Sequence, residues 1–145
     1  MAQQRAAFGT LLKMGVSGSP GSMVTIALVS SIKGPTQSAS MIDVTSHDNA
    51  TGYREFVAGV RDAGEITFTC FFDPSDATHK DSSGGLIYEF NAGTEKGFEL
   101  HLANTSPVAK FSFDGIITKI DFNNPVDGAS TADVTIKISG EASLT

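Results

Sequence analysis

The residues with the widest chemical repertoire stand together at Ser46-His47-Asp48. A hydroxyl, an imidazole and a carboxylate are the three groups of a hydrolytic triad, which works only when the side chains converge. Consecutive residues point apart, so a hydrolase would have to recruit one of them to partners elsewhere in the chain, and His47→Ala would then abolish its activity. His47, His79 and His101 lack the close spacing of zinc ligands, and the single Cys70 adds no second soft donor. Asp43, His47 and Asp48 match neither an EF-hand nor an HExxH spacing. Asp73, Asp76 and Asp81 read as capping and helix-dipole carboxylates around a short helix. No glycine-rich phosphate loop opens a helix. Cys70 shares the phase of Ile66, Phe68 and Phe72, where a cysteine packs as a small apolar residue. The expectation is a chain with no catalytic residue, no cofactor and no metal.

Composition narrows the class further. The formal net charge is −6, with Lys and Arg scattered singly, which counts against a nucleic-acid binder that depends on cations against phosphates. A chain of 145 residues with 40% hydrophobic content is expected to form one domain, 1–145, with a core of its own. One cysteine fits a reducing compartment. The N-terminal Met1-Ala-Gln-Gln-Arg has no signal-like apolar core, and no run approaches the ~18 apolar residues of a membrane span. Synthesis in the cytoplasm without a membrane partner follows as the expectation.

The elements that must position these residues are mostly strands. Period-two alternation puts Val24, Ile26 and Leu28 on one face of residues 23–29, and Ile66, Phe68, Cys70 and Phe72 on one face of 65–72. It does the same for Phe98, Leu100 and Leu102, and for Val134, Ile136 and Ile138. Between Phe111-x-Phe113 and Ile120-x-Phe122 the phase slips by one residue, and Gly115 marks the expected bulge. The turn residues of 123–128 then make the last two strands a hairpin. Leu86, Ile87 and Phe90 have helical spacing with Gly93 as the stop. Residues 17–22 read as a turn, and 45–64 as a long excursion without alternation, the usual signature of an interaction arm.

In this order the features resemble the tail tube (major tail) proteins of long non-contractile-tailed bacteriophages. The resemblance rests on Phe8-Gly9-Thr10-x-Leu12, Ile32-x-Gly34-Pro35, Ile42-Asp43-Val44-Thr45-Ser46-His47-Asp48 and Gly52-Tyr53-Arg54-Glu55-Phe56-Val57-Ala58-Gly59-Val60 with Asp62, Gly64 and Glu65. Asp73-Pro74, Asp76-Ala77-Thr78-His79, Phe111-x-Phe113-x-Gly115 and Ile138-Ser139-Gly140 complete it. It implies a mainly β, single-domain sandwich or barrel-like tail tube fold with one short flanking helix, the long loop 45–64 as assembly arm and 141–145 as a C-terminal tail. It implies homohexameric rings stacked into a hollow tube for DNA passage in the virion tail. The partners implied are tape-measure, tail-terminator and baseplate or tip proteins. Carried over by position, Asp43, His47, Asp48, Tyr53, Arg54, Phe56, Val57, Arg61 and Asp62 are the candidate inter-ring contacts. Glu65, Glu99, Asp114, Asp121 and Asp133 lie in outward phase and are candidate lumen acids. Six copies would carry roughly −36, a sign that repels phosphates. The residue pattern leaves two alternatives open: a type VI secretion-like tube protein, or a soluble β-barrel module binding a small ligand.

Overall fold

The computed structural model describes residue 4 and residues 6–15, 23–103 and 107–145; the expected turn at 17–22 lies outside them. In chain order the strands are β1 (Leu11–Gly15), β2 (Val24–Thr25), β3 (Val29–Lys33), β4 (Ser38–Asp43), β5 (Phe56–Asp62) and β6 (Glu65–Phe71). Helix α1 (Leu86–Ala92) follows, then β7 (Lys96–His101), β8 (Lys110–Asn123) and β9 (Thr131–Leu144). Among the described residues, seven strands form one sheet in the order β2-β1-β7-β8-β9-β6-β3, and β4 pairs only with β5. Every strand pairing is antiparallel.

Alternation sets the core. Leu12, Met14, Ile66, Phe68, Cys70, Phe98, Leu100, Phe113, Ile117, Val134, Ile136 and Ile138 are buried in a single cluster, with Leu86 of α1 among them. Phe98 and Phe113 are cross-strand partners whose rings stack with centroids 5.6 Å apart. Burial lifts the Cys70 thiol to about 11, helped by the Asp133 carboxylate, so it stays a protonated core residue.

The sheet is barrel-like without closing. Strand β2 is one edge and β3 the other, yet only Ile26, Ala27 and Leu28 separate them. Three linking residues span at most about 14 Å, so the sheet must curl until its edges nearly meet. The Ile26 N–H donates to Leu12 O on one side of this seam, and Leu28 O accepts from the Phe71 N–H on the other. The expected strand over 23–29 is therefore two strands. Ile26 is buried, but Val24 and Leu28 are more than half exposed, and Leu28 adopts φ 59°, an uncommon conformation for a branched residue. Ala27 at the seam has no ladder partner. Its N–H donates to Thr78 Oγ1 at 3.1 Å, and its carbonyl lies 2.8 Å from His79 Nε2.

The last two strands form the expected hairpin, bulged twice. The phase slip falls at Thr118, between the pairs Ile117↔Ile136 and Lys119↔Thr135, and not at Gly115. Gly115 serves another need: a Cβ there would sit 2.7 Å from Ile136 Cγ2. The second irregularity lies around Gly140, where the register jumps from Ser139 to Ser143. Residues 141–145 are not a tail. Leu144 pairs with Phe111, and Thr145 exchanges two backbone hydrogen bonds with Lys110.

Helix α1 ends at Gly93, φ 65°, as expected, but starts at Gly85 without a side-chain cap. A Cβ at Gly85 would lie 1.9 Å from Lys80 O, so close approach of the preceding turn demands the glycine. Asp73 and Asp76 do not cap this helix, which begins beyond their reach. Each closes its own turn, Asp73 on the Ser75 N–H at 2.9 Å and Asp76 on the Thr78 N–H at 2.8 Å. Hydrogen bonds from the Ser75 and Thr78 hydroxyls and amides hold both carboxyls below their usual range.

Candidate functional site

The expected excursion at 45–64 is half strand. Phe56–Asp62 pairs with Ser38–Asp43, in the register Ile42↔Val57 and Asp43↔Phe56, so the arm is a hairpin that includes β4, with residues 44–55 as its tip. Alternation vanishes here because both faces are exposed. Met41, Ile42, Val44, Tyr53, Phe56, Val57 and Val60 are all at least 45% accessible, and Val60 reaches 85%. An isolated two-stranded hairpin is at best marginally stable in water. Fully burying such a side chain is worth roughly 1.5–3 kcal/mol. A hairpin with apolar residues on both faces is thus built to be covered by something else.

The tip is nevertheless ordered by its own polar groups. Asn49 Oδ1 accepts from the Thr51 N–H at 2.9 Å, and Asn49 Nδ2 donates to Tyr53 O. The Glu55 N–H donates to Thr45 Oγ1 at 2.7 Å, and Asp43 Oδ1 accepts from the Thr45 N–H at 2.9 Å. Ser46 Oγ donates to Asp48. Bonds from Thr45 hold the Asp43 carboxyl below its usual range. His47 stands exposed beside this network. All nine candidate contacts, Asp43, His47, Asp48, Tyr53, Arg54, Phe56, Val57, Arg61 and Asp62, therefore share one projecting element. Asp62 ties its base to the sheet: the carboxylate accepts from Lys137 Nζ at 2.9 and 3.1 Å and from the Gly64 N–H. Sequence reasoning passed over Met41, Ile42, Val44 and Val60, whose residue types and spacing look like a core strand.

The five candidate lumen acids also share a surface. Strand register places Glu65, Glu99, Asp114, Asp121 and Asp133 on the sheet face opposite the core. Lys13, Lys33, Lys110, Lys119 and Lys137 occupy paired positions on the same face. Among the paired residues described, that face balances acid with lysine. The excess negative charge lies elsewhere, chiefly in Asp73, Asp76, Asp81, Glu89 and Glu95 between β6 and β7. Asp121 and Asp133 are direct cross-strand partners, and Thr69 Oγ1 donates to Asp133 at 2.6 Å.

Glu99 differs from the other four because it is buried, at 4% accessibility. Lys110 Nζ lies 2.8 Å and His101 Nε2 3.1 Å from its Oε2. Burial pushes its carboxyl up, but the bonds to Lys110 and His101 outweigh that and hold it below the ordinary 4.5. A depressed folded pKa adds stability above the unfolded value, lost as pH falls through the folded one. Glu99→Gln is therefore expected to destabilise the subunit at neutral pH and to shrink its loss of stability below about pH 4.5, read from urea midpoints across pH. An acid limb identical to that of the parent chain would show that the carboxylate contributes nothing.

Among the described residues no group of three or more His, Cys, Asp or Glu side chains could hold a metal ion, and no helix is long and apolar enough to cross a membrane. His79, fully buried, is a structural residue of the seam.

A family model described as lambda phage tail tube protein, TTP, matches residues 10–145. The chain belongs to that family. Membership makes it a tail tube protein, a structural component of a phage tail. No curated protein sequence matches it. Solved structures share the fold. The tail of an empty gene transfer agent particle, refined with C6 symmetry, gives a TM-score of 0.76 at 23% identity over 98% of this chain and 99% of that one. The SPP1 tail tube gives 0.66 at 13% identity over 92% and 74%. The tube-terminating cap of the anti-feeding prophage gives 0.66 at 14% identity over 100% and 94%. In this tail tube family member the hairpin projects from the curled sheet.

Proposed function

We propose that this tail tube protein, as one domain spanning 1–145, forms hexameric rings that stack into the hollow tube through which DNA leaves the particle, and that it catalyses no reaction. The observation that carries this reading is the hairpin with apolar residues on both faces, which the described residues leave uncovered. The two open edges of the sheet at β2 and β3 support it, since ring closure gives each edge a neighbour. The C6 symmetry of the gene transfer agent tail supports six copies per ring. Tape-measure, terminator and baseplate or tip proteins are the further partners of such a tube.

In this reading the exposed apolar faces of the hairpin make the inter-ring contacts. If the face carrying Glu65, Asp114, Asp121 and Asp133 lines the channel, its interleaved lysines make the wall charge-balanced. DNA would then slide because phosphates meet no net attraction, and not because a uniformly acidic wall repels them.

Concentrating the purified chain, alone and co-expressed with tail-tip proteins, and imaging it by electron microscopy tests the reading. Six-fold rings or hollow tubes are the expected result. A chain that stays monomeric under both conditions overturns it.

A further inference from the structure

We infer that the cleft at the base of the hairpin receives the hairpin tip of a second copy, with Arg54 of the incoming tip meeting Glu141 on the rim. This rests on the tube reading above and assigns the two halves of its contact.

The cleft, about 750 Å³, opens between the hairpin base and the end of β9. Its floor is apolar, made by the buried Ala63, Ile138 and Ala142. Its rim carries Arg61, Glu141 and Asp62, the last already paired with Lys137.

One wall is a strand edge without a neighbour. Pairing of β6 with β9 stops at Glu65↔Lys137, and the Ile138 N–H is taken by Gly64 O. From Ser139 onward, β9 has no strand beside it on this side among the described residues. Gly140, with φ 84°, bends the strand there. An unpaired edge beside an apolar floor is a surface that another chain can cover.

Charge selects the occupant. Arg54, Arg61 and Glu141 form no ion pair within the described chain. Of the charged groups at the tip and at the cleft, Arg54 and Glu141 are an opposite pair, each without an ion partner in its own described chain, whereas Asp48 is bonded to Ser46 and Asp62 to Lys137. The tip is held in shape by Asn49 and Thr45, so ordering it on docking costs little. A tip surface meeting a different acceptor surface is a heterologous contact, which propagates from copy to copy instead of closing on a pair.

Charge reversal tests this. Arg54→Glu and Glu141→Arg are each expected to cut sedimentable tubes at least tenfold while leaving the thermal unfolding of the subunit unchanged. The double variant is expected to assemble like the parent. An equal mixture of the two single variants is also expected to assemble, because each tip then finds a matching cleft on the other species. Rescue by the double variant without rescue by the mixture would place the pair within one chain and overturn the inference. So would single variants that assemble as the parent does. If either reversal prevents folding, Arg54→Gln and Glu141→Gln must each weaken assembly and flatten its salt dependence, or the inference falls. A parent chain that forms no rings or tubes sinks the tube reading as well, whereas silent charge reversals in an assembling chain sink only the docking of tip in cleft.

Discussion

His79→Ala is expected to destabilise the isolated subunit by about 3–4 kcal/mol, among the larger effects of a single substitution in a chain of this size. The imidazole is fully buried and bonded on both nitrogens. Nδ1 accepts from the Asp73 N–H at 3.2 Å, which leaves the proton on Nε2 to be donated to Ala27 O at 2.8 Å. Its ring also stacks on Phe72, 11° from parallel, and Phe72 meets Phe122 edge-on. Alanine would strip two partly buried backbone groups, the Asp73 N–H and Ala27 O, of their partner and leave a void against Phe72. His79→Asn keeps an acceptor near the Nδ1 position and should recover part of the loss. Urea denaturation of the three proteins in unassembled form decides the matter, and a His79→Ala midpoint equal to that of the parent would deny the seam clamp. The clamp acts where β2 gives way to β3, so edges that spring apart would also expose Cys70 to thiol reagents faster than in the parent.

The seam shows why some of this fold was legible in the sequence and some was not. Ile66, Phe68 and Cys70, and Val134, Ile136 and Ile138, alternate because each strand has one buried face and one wet face. The same alternation at Val24, Ile26 and Leu28 is deceptive, because the chain leaves one edge of the sheet and joins the other within three residues. Local pattern carries no information about such a crossing. The partner of His79 is Ala27, 52 residues away, so no ligand spacing could have revealed its role. The phase slip in β8 announced a bulge and only its address was wrong, because Gly115 answers to the crowding of Ile136 while Thr118 absorbs the extra residue. The hairpin was legible as a long departure from periodicity. Its second strand was not, since a ribbon wet on both faces has no buried phase to display.

Replacing residues 40–60 with Asn-Gly is expected to abolish tubes while changing subunit stability by no more than about 1 kcal/mol. Ala39 and Arg61 are cross-strand partners, so a two-residue turn of this type can close the shortened ribbon between them. Asp62 must stay, because its carboxylate holds Lys137 and the Gly64 N–H and is kept below its usual range chiefly by the Lys137 bond. Removing 46–62, the deletion that a structureless loop would invite, cuts that tie and leaves Ser38–Asp43 without its partner strand. None of the core side chains falls within 40–60, so hydrophobic burial in the subunit is untouched. What disappears is the exposed set Met41, Ile42, Val44, Tyr53, Phe56, Val57 and Val60. The shortened chain should therefore be more soluble than the parent. The strand edges at β2 and β3 remain, so rings can still close while stacking cannot proceed. Sizing and electron microscopy should find six-copy rings without tubes. Tubes of normal length would deny the hairpin any axial role. Loss of cooperative unfolding would instead make it part of the folding unit, and its exposed apolar faces would then need an explanation other than assembly.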